Sequence, residues 1–173
     1  SIPMLRQQQK NTEDIYKSLA DYIAPEETGI TDYAGAFVVT AGIGMQERVD
    51  AFEKEGDSYS ALLLQTLSDR LAEASAEYLH ELIRRDYWGY SPQESLTKEE
   101  LFKVRYQGIR PAVGYPSIPE LSLMHVMNQL LDASQIGVSV TENGAMTPTS
   151  TVSGIYIAHP QSQYFMIGHI NEE

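Results

Sequence analysis

Thr151-Val152-Ser153-Gly154-Ile155-Tyr156-Ile157-Ala158 combines β-branched and aromatic residues with small ones and alternates polar with apolar positions, as a half-buried strand does. Gly137 to Thr141 and Tyr164 to Ile170 carry the same alternation on either side of it. Asn143-Gly144 and His159-Pro160-Gln161-Ser162 are turn sequences between these runs. Strands this close in sequence, joined by short turns, are expected to be antiparallel neighbours.

Upstream of this region the periodicity is helical. From Ser58 to about Arg85, the residues Leu63, Leu67, Leu71, Ala74, Tyr78 and Leu82 recur at spacings of three and four and draw one continuous apolar stripe. Asp57 and Ser58 offer cap oxygens to the first-turn amides, while Arg84 and Arg85 set positive charge at the C-terminal end of the helix dipole. This is the expected scaffold helix. Thr97-Lys98-Glu99-Glu100 forms a capping box for a short helix to about Tyr106, and Pro119-Glu120 opens another through Leu131. Nearer the start, Leu19 to Ile23 reads as helical or tightly turned up to Pro25. Tyr33 to Thr40 is a strand candidate, followed by a helix from about Gln46 to Lys54. A strand, then helices, then short-linked strands is an α+β pattern, an antiparallel sheet packed by helices. Regular βαβ alternation is missing, which argues against a doubly wound nucleotide fold.

At 173 residues, 42% of them apolar and 21% charged, the chain has the make-up of one globular domain. The formal charge is −12, a surface that repels phosphate backbones and anionic lipid, so neither nucleic acid nor a membrane is an expected partner. Zero cysteines exclude disulfides, thiolate metal sites and cysteine nucleophiles. The composition is compatible with a cytoplasmic protein.

The usual catalytic signatures are absent: no phosphate-binding loop ending in Gly-Lys-Ser/Thr, no His-Glu-x-x-His, no Gly-x-Ser-x-Gly. Gly42-Ile43-Gly44 lacks the third glycine of a dinucleotide loop and reads as a strand-to-helix turn. The histidines, His80, His125, His159 and His169, have no ligand spacing. His80 reads as a solvated or hydrogen-bonded helix-face residue, His159 as a turn residue and His169 as an edge residue of the last strand.

Arg110-Pro111-Ala112-Val113-Gly114-Tyr115 differs from the rest. Pro111 and Pro116 push the residues before them, Arg110 and Tyr115, into extended conformations, which stiffens the segment on both sides of Gly114. Gly114 lets a ligand approach the backbone, Arg110 carries a fork of donors suited to a carboxylate, and Tyr115 offers a ring face with a polar tip. The residues alone leave two readings open: a binding loop for a small molecule, or a rigid connector whose Arg110 pairs with a nearby acid.

Tyr106-Gln107-Gly108-Ile109-Arg110-Pro111-Ala112-Val113-Gly114-Tyr115-Pro116 resembles the Arg-x-x-x-Gly-Tyr segment of the S-adenosylmethionine-binding reactivation domain of cobalamin-dependent methionine synthase. Further segments resemble that family in its order: Ser18 to Pro25, Ser68 to Glu81, Tyr87-Trp88-Gly89-Tyr90, Thr141 to Met146, Val152-Ser153-Gly154 and His159 to Phe165. The resemblance implies a C-shaped α+β fold around an antiparallel sheet. It implies a domain that delivers a methyl group from S-adenosylmethionine to cobalamin after cob(II)alamin has formed and is re-reduced. Carried over, Arg110 would hold the ligand's carboxylate, Ala112 and Tyr115 would line the pocket, Tyr164 and Phe165 would touch the ligand, and Glu73 would lie near the sulfonium. The implied partners are the cobalamin-binding domain of the same polypeptide and flavodoxin or another reductase, with cobalamin and zinc held in other domains. Such chemistry asks for position rather than a general base, because the methyl donor and the reduced cobalt are already reactive.

The family also carries an Asp-Trp-x-Pro-Phe-Phe-like segment that touches the ligand and is not found in these 173 residues. On that basis residues 1–173 are expected to be the later part of a single activation domain, with weak S-adenosylmethionine affinity when isolated. The alternative is an interaction module that kept the fold without the ligand.

Overall fold

The structure is a computed structural model that describes residues 2–9 and 15–170. Its α+β character is as expected, with the strands gathered into two small two-stranded sheets. The first pairs β1 (Gly35–Thr40) with β4 (Thr151–Tyr156), the second β2 (Ser139–Val140) with β3 (Met146–Thr147). In the first sheet the Ala41 amide donates to the Ser150 carbonyl at one end and Gly35 lies against the Tyr156 side chain at the other, an antiparallel arrangement. In the second, Ser139 faces Thr147 and Val140 faces Met146. The Asn143-Gly144 turn closes that hairpin through Gly144 N–H to Thr141 C=O and Thr141 N–H to Ala145 C=O.

The chain divides into two compact units, one made of Ser1–Gly35, Glu81–Glu120 and Gly154–Glu173, the other of Ala36–His80 and Leu121–Ser153. In the second unit, Gly42 to Gly44 turns the chain from β1 into α1 (Met45–Lys54), with Met45 N–H bonded to Gly42 C=O. Met45 and Val49 then pack on Ala61 of α2 (Ser58–Leu82), joined by Phe52 and Leu64. A second apolar interior gathers Val38, Val138, Val140 and Met146 around Met124, Met127 and Leu131 of α4 (Leu123–Leu131) and closes to a void of about 10 Å³.

The scaffold helix α2 exists as expected, and Asp57 caps it by accepting from the Ser60 amide. Its buried face is not the leucine stripe. Leu63, Leu67, Leu71 and Tyr78 are 44% to 62% exposed, whereas Ala61, Ser68, Ala72, Ala76 and His80 are buried. Four of these five are small, and small side chains let a helix backbone approach its neighbours closely, so from Ala61 to Ala76 the buried row is defined by size rather than hydropathy. His80 is fully buried rather than solvated. Past Leu82 the helix widens into a π-helical turn over Ile83–Tyr87, and Arg84 is buried there instead of facing the helix dipole from solvent.

Other features also differ from expectation. The capping box of Thr97 and Glu100 forms, but α3 (Lys98–Phe102) stops early because Val104 takes a left-handed φ of 53°. Helix α4 begins at Leu123, and Pro119 and Glu120 precede it as loop. β4 is buried on both faces from Ser153 to Tyr156 rather than half-buried. Tyr164 to Ile170 forms no strand, which also removes the edge position expected for His169. There the Met166 and Ile167 carbonyls accept from the Gln7 side chain and the Gln8 amide, and Gly168 at φ 88° breaks the extended run.

In the first unit, Ser18 caps the 3-10 turn Leu19–Tyr22 in a reciprocal box with Asp21, which also takes two hydrogen bonds from Arg6 at 2.7 Å. The His159 to Ser162 turn closes as expected through Ser162 N–H to His159 C=O. Among the described residues no helix is long and apolar enough to cross a membrane.

Candidate functional site

Arg110 sits on a strand-like edge, not on a free connector. Ile109 exchanges both backbone hydrogen bonds with Ile157, at 2.9 and 3.0 Å, and the Ile155 amide donates to Pro111 C=O at 3.0 Å. The Gln107 side chain extends this pairing by donating to Ala158 C=O. Alternation along the segment buries Ile109 and Pro111 and turns the half-buried Arg110 to the other side. The Arg110 amide therefore points away from this pairing and donates to the Tyr164 hydroxyl at 2.9 Å. That one bond joins two segments 54 residues apart.

The Arg110 side chain is held from beneath. Its Nη1 donates to the Tyr106 hydroxyl at 2.9 Å. The Tyr106 ring is buried, and the guanidinium carbon of Arg84 lies 4.1 Å from its centroid, a cation over an aromatic face. Arg84 has no exposed surface and grips Glu94 through Nε and Nη2, the shortest contact being 2.6 Å. Tyr90 packs into the same cluster. Burial is the main cause that pushes its phenol up to about 12; Arg84 opposes the shift, and Glu94, Tyr106 and Tyr164 add to it. Tyr90 stays neutral and packs edge-on to Trp88, with 5.4 Å between centroids.

Ala112 follows on the same segment, half-buried. Gly114 takes a φ of 93° and Tyr115 opens a tight turn closed by Ile118 N–H to Tyr115 C=O and Gly114 N–H to Ile118 C=O. Tyr115 itself is 65% exposed, an aromatic face open to solvent. Phe165, next to Tyr164, is half-buried. The structure thus brings Arg110, Ala112, Tyr115, Tyr164 and Phe165 into the first unit, with a direct bond between the Arg110 and Tyr164 segments. Glu73 lies on α2 in the second unit. There it lines an open groove of about 420 Å³ with Thr66, Asp69, Arg70, Ser150, Thr151 and Val152. Asp69 fixes one side of that groove by accepting from the Ser150 hydroxyl at 2.6 Å.

In the sequence Tyr106 and Tyr90 stand out only as parts of longer matching segments, Arg84 reads as a dipole partner, and nothing singles out Glu94. No periodic pattern ties Arg84 to Glu94, because the chain reverses between them at Trp88 to Ser91, with Ser91 N–H bonded to Arg84 C=O. Among the described residues no three His, Asp or Glu side chains are arranged to hold a metal ion.

Two comparisons bear on this arrangement. Residues 1–173 match the family model for the activation domain of vitamin B12 dependent methionine synthase. A crystal structure of the MetH reactivation domain bound to AdoHcy is similar at 46% identity and a TM-score of 0.90, over 96% of this chain and 52% of that one. The chain spans about half the length of that solved domain.

Proposed function

Because the chain belongs to the family of vitamin B12 dependent methionine synthase activation domains, we propose that it is the later part of a domain that binds S-adenosylmethionine and presents its methyl group for reactivation of cob(II)alamin. Arg110 binds the ligand's carboxylate, Ala112 and Tyr115 line its path, and Tyr164 and Phe165 contact it from the chain's last segment. Glu73 is a further contact proposed from the resemblance alone. The observation that carries the reading is the bond from the Arg110 amide to the Tyr164 hydroxyl. It joins the two segments that sequence resemblance had separately assigned to one ligand. A half-buried guanidinium whose Nη1 donates to the Tyr106 hydroxyl is suited to a carboxylate, whose charge-assisted bonds are about twice as strong as neutral ones.

Cobalamin, on another module of the same polypeptide, would supply the nucleophile, and flavodoxin or another reductase would supply the electron. The residues of this chain bind and orient; the mechanism asks no proton transfer of them. An aromatic face beside a sulfonium adds attraction of roughly 0.5–2 kcal/mol, a role open to Tyr115. The setting is the cytoplasm.

Calorimetric titration of S-adenosylmethionine into the full-length enzyme tests the proposal. Arg110→Ala is expected to weaken binding about 10- to 100-fold, the worth of a hydrogen-bonded charge pair. Unchanged affinity and unchanged reactivation would instead favour a domain that kept the fold as an interaction module.

A further inference from the structure

We infer that Tyr106 is a positioning residue for carboxylate recognition, its hydroxyl setting the Arg110 guanidinium and its ring being set in turn by the buried Arg84–Glu94 pair. The inference rests on the proposed binding of the ligand's carboxylate at Arg110. The geometry is a continuous chain of contacts within one unit of the structure. Glu94 fixes Arg84 with three contacts of 2.6 to 3.0 Å, Arg84 lies 4.1 Å from the Tyr106 ring centroid, and the Tyr106 hydroxyl accepts from Arg110 Nη1 at 2.9 Å. Gly108 and Tyr90 wall the cluster, since a Cβ on Gly108 would lie 2.7 Å from the Tyr90 hydroxyl.

Arginine has a long side chain that loses substantial rotamer freedom when it binds a ligand. Prepaying that loss in the free protein leaves more of the interaction to appear as affinity. Tyr106 can do this only if its hydroxyl is itself fixed. A phenol on a buried ring clamped at its face by an immobile cation has its position fixed by the ring. The backbone of Arg110 is secured separately, by Ile109 paired with Ile157 and by the Tyr164 hydroxyl, so Tyr106 controls the side chain and not the loop.

Tyr106→Phe in the full-length enzyme tests this, because it keeps the ring and its contact with Arg84 and removes only the hydroxyl. Dissociation constants are measured for S-adenosylmethionine and for its decarboxylated analogue, which lacks the group Arg110 is proposed to hold. The wild type should prefer the carboxylate-bearing ligand, and Arg110→Ala should abolish that preference. Tyr106→Phe should weaken S-adenosylmethionine about three- to tenfold, the worth of one hydrogen bond, and leave the decarboxylated analogue unchanged. Equal weakening of both ligands would mark a merely structural role and overturn the inference, as would no change in either. A wild type with no preference between the two ligands would sink the carboxylate assignment itself, a failure distinct from that of Tyr106. Glu94→Gln, which keeps the shape of the buried pair but removes its charge, should narrow the preference in the same direction. A preference equal to wild type in this variant would detach the ion pair from the chain.

Discussion

Replacing Gly108 with alanine probes the closest backbone approach near Arg110. At φ 84° the position disfavours any residue with a Cβ, and an added Cβ would lie 2.9 Å from the Ile157 carbonyl oxygen and 2.7 Å from the Tyr90 hydroxyl. The left-handed backbone costs an L-residue about 1–2 kcal/mol, offset by roughly 0.4–1 kcal/mol because alanine has less entropy to lose from the unfolded chain. The contacts add to this. The Ile157 oxygen already accepts from the Ile109 amide at 2.9 Å and cannot retreat without stretching that bond, and Tyr90 is packed against Trp88. Overpacking of this kind costs about 1–3 kcal/mol, so Gly108→Ala should destabilise the protein by about 1.5–4 kcal/mol in total. Gly29→Ala is the matched control: its φ is 65° and nothing lies within 4 Å of the added Cβ, which leaves the conformational cost of about 0.5–1 kcal/mol alone. Urea denaturation of the three proteins measures both, with an unchanged m-value showing that the denatured state has not shifted. If Gly108→Ala costs no more than Gly29→Ala, the close packing of Tyr90 and Ile157 against residue 108 is wrong, and the account of the Arg110 edge falls with it.

The α2 face and the Arg6–Asp21 pair give two further tests. Leu71→Gln on the exposed stripe should change stability by less than about 0.5 kcal/mol, whereas Ala72→Leu on the buried face should cost about 1–3 kcal/mol; the reverse order in urea melts would restore the leucine stripe as the core face. The Asp21 carboxyl is held below the usual carboxylate range chiefly by its bonds from Arg6, which outweigh the opposing effect of burial, with the Ser18 amide lowering it further. A lowered folded value means the stabilisation is complete above the unfolded pKa of about 4 and fades as pH falls through the folded value. Because Arg6 and Asp21 are 52% and 40% exposed, the pair contributes no more than about 1 kcal/mol. Asp21→Asn should therefore cost up to that much at neutral pH and less as the pH falls through the lowered folded value, and a gap that widens on acidification would reverse the sign of the argument.

How much was legible in the sequence followed how local the cause was. Caps and turns were readable because donor and acceptor lie within a few residues: Asp57 with Ser60, Thr97 with Glu100, Thr141 with Gly144. Periodicity located α2 but chose the wrong face, since hydropathy cannot show that alanines pack closer than leucines. The Tyr164 to Ile170 alternation failed as a strand because an extended segment needs a ladder partner, and its carbonyls found Gln7 and Gln8 instead. At the site, proline spacing correctly made Arg110 extended. It could not show that Ile157 would pair with Ile109, a contact set by a segment far along the chain.

The least legible feature, the Arg84–Glu94 pair, bears most directly on what the site needs. A buried ion pair is a weak source of stability: burying both charges costs several kcal/mol of desolvation, and apolar replacements of equal volume are often as stable. Stability alone therefore gives little reason to place a guanidinium with no exposed surface beneath a tyrosine. Orientation does. An apolar residue in place of Arg84 could fill the volume but would hold the Tyr106 ring by dispersion only, which resists sliding poorly. A cation at 4.1 Å from the centroid, itself immobilised by three contacts to Glu94, fixes the ring's place and so the point from which its hydroxyl meets Arg110. A pair with little net effect on folding can in this way decide how well the half-buried Arg110 is aimed.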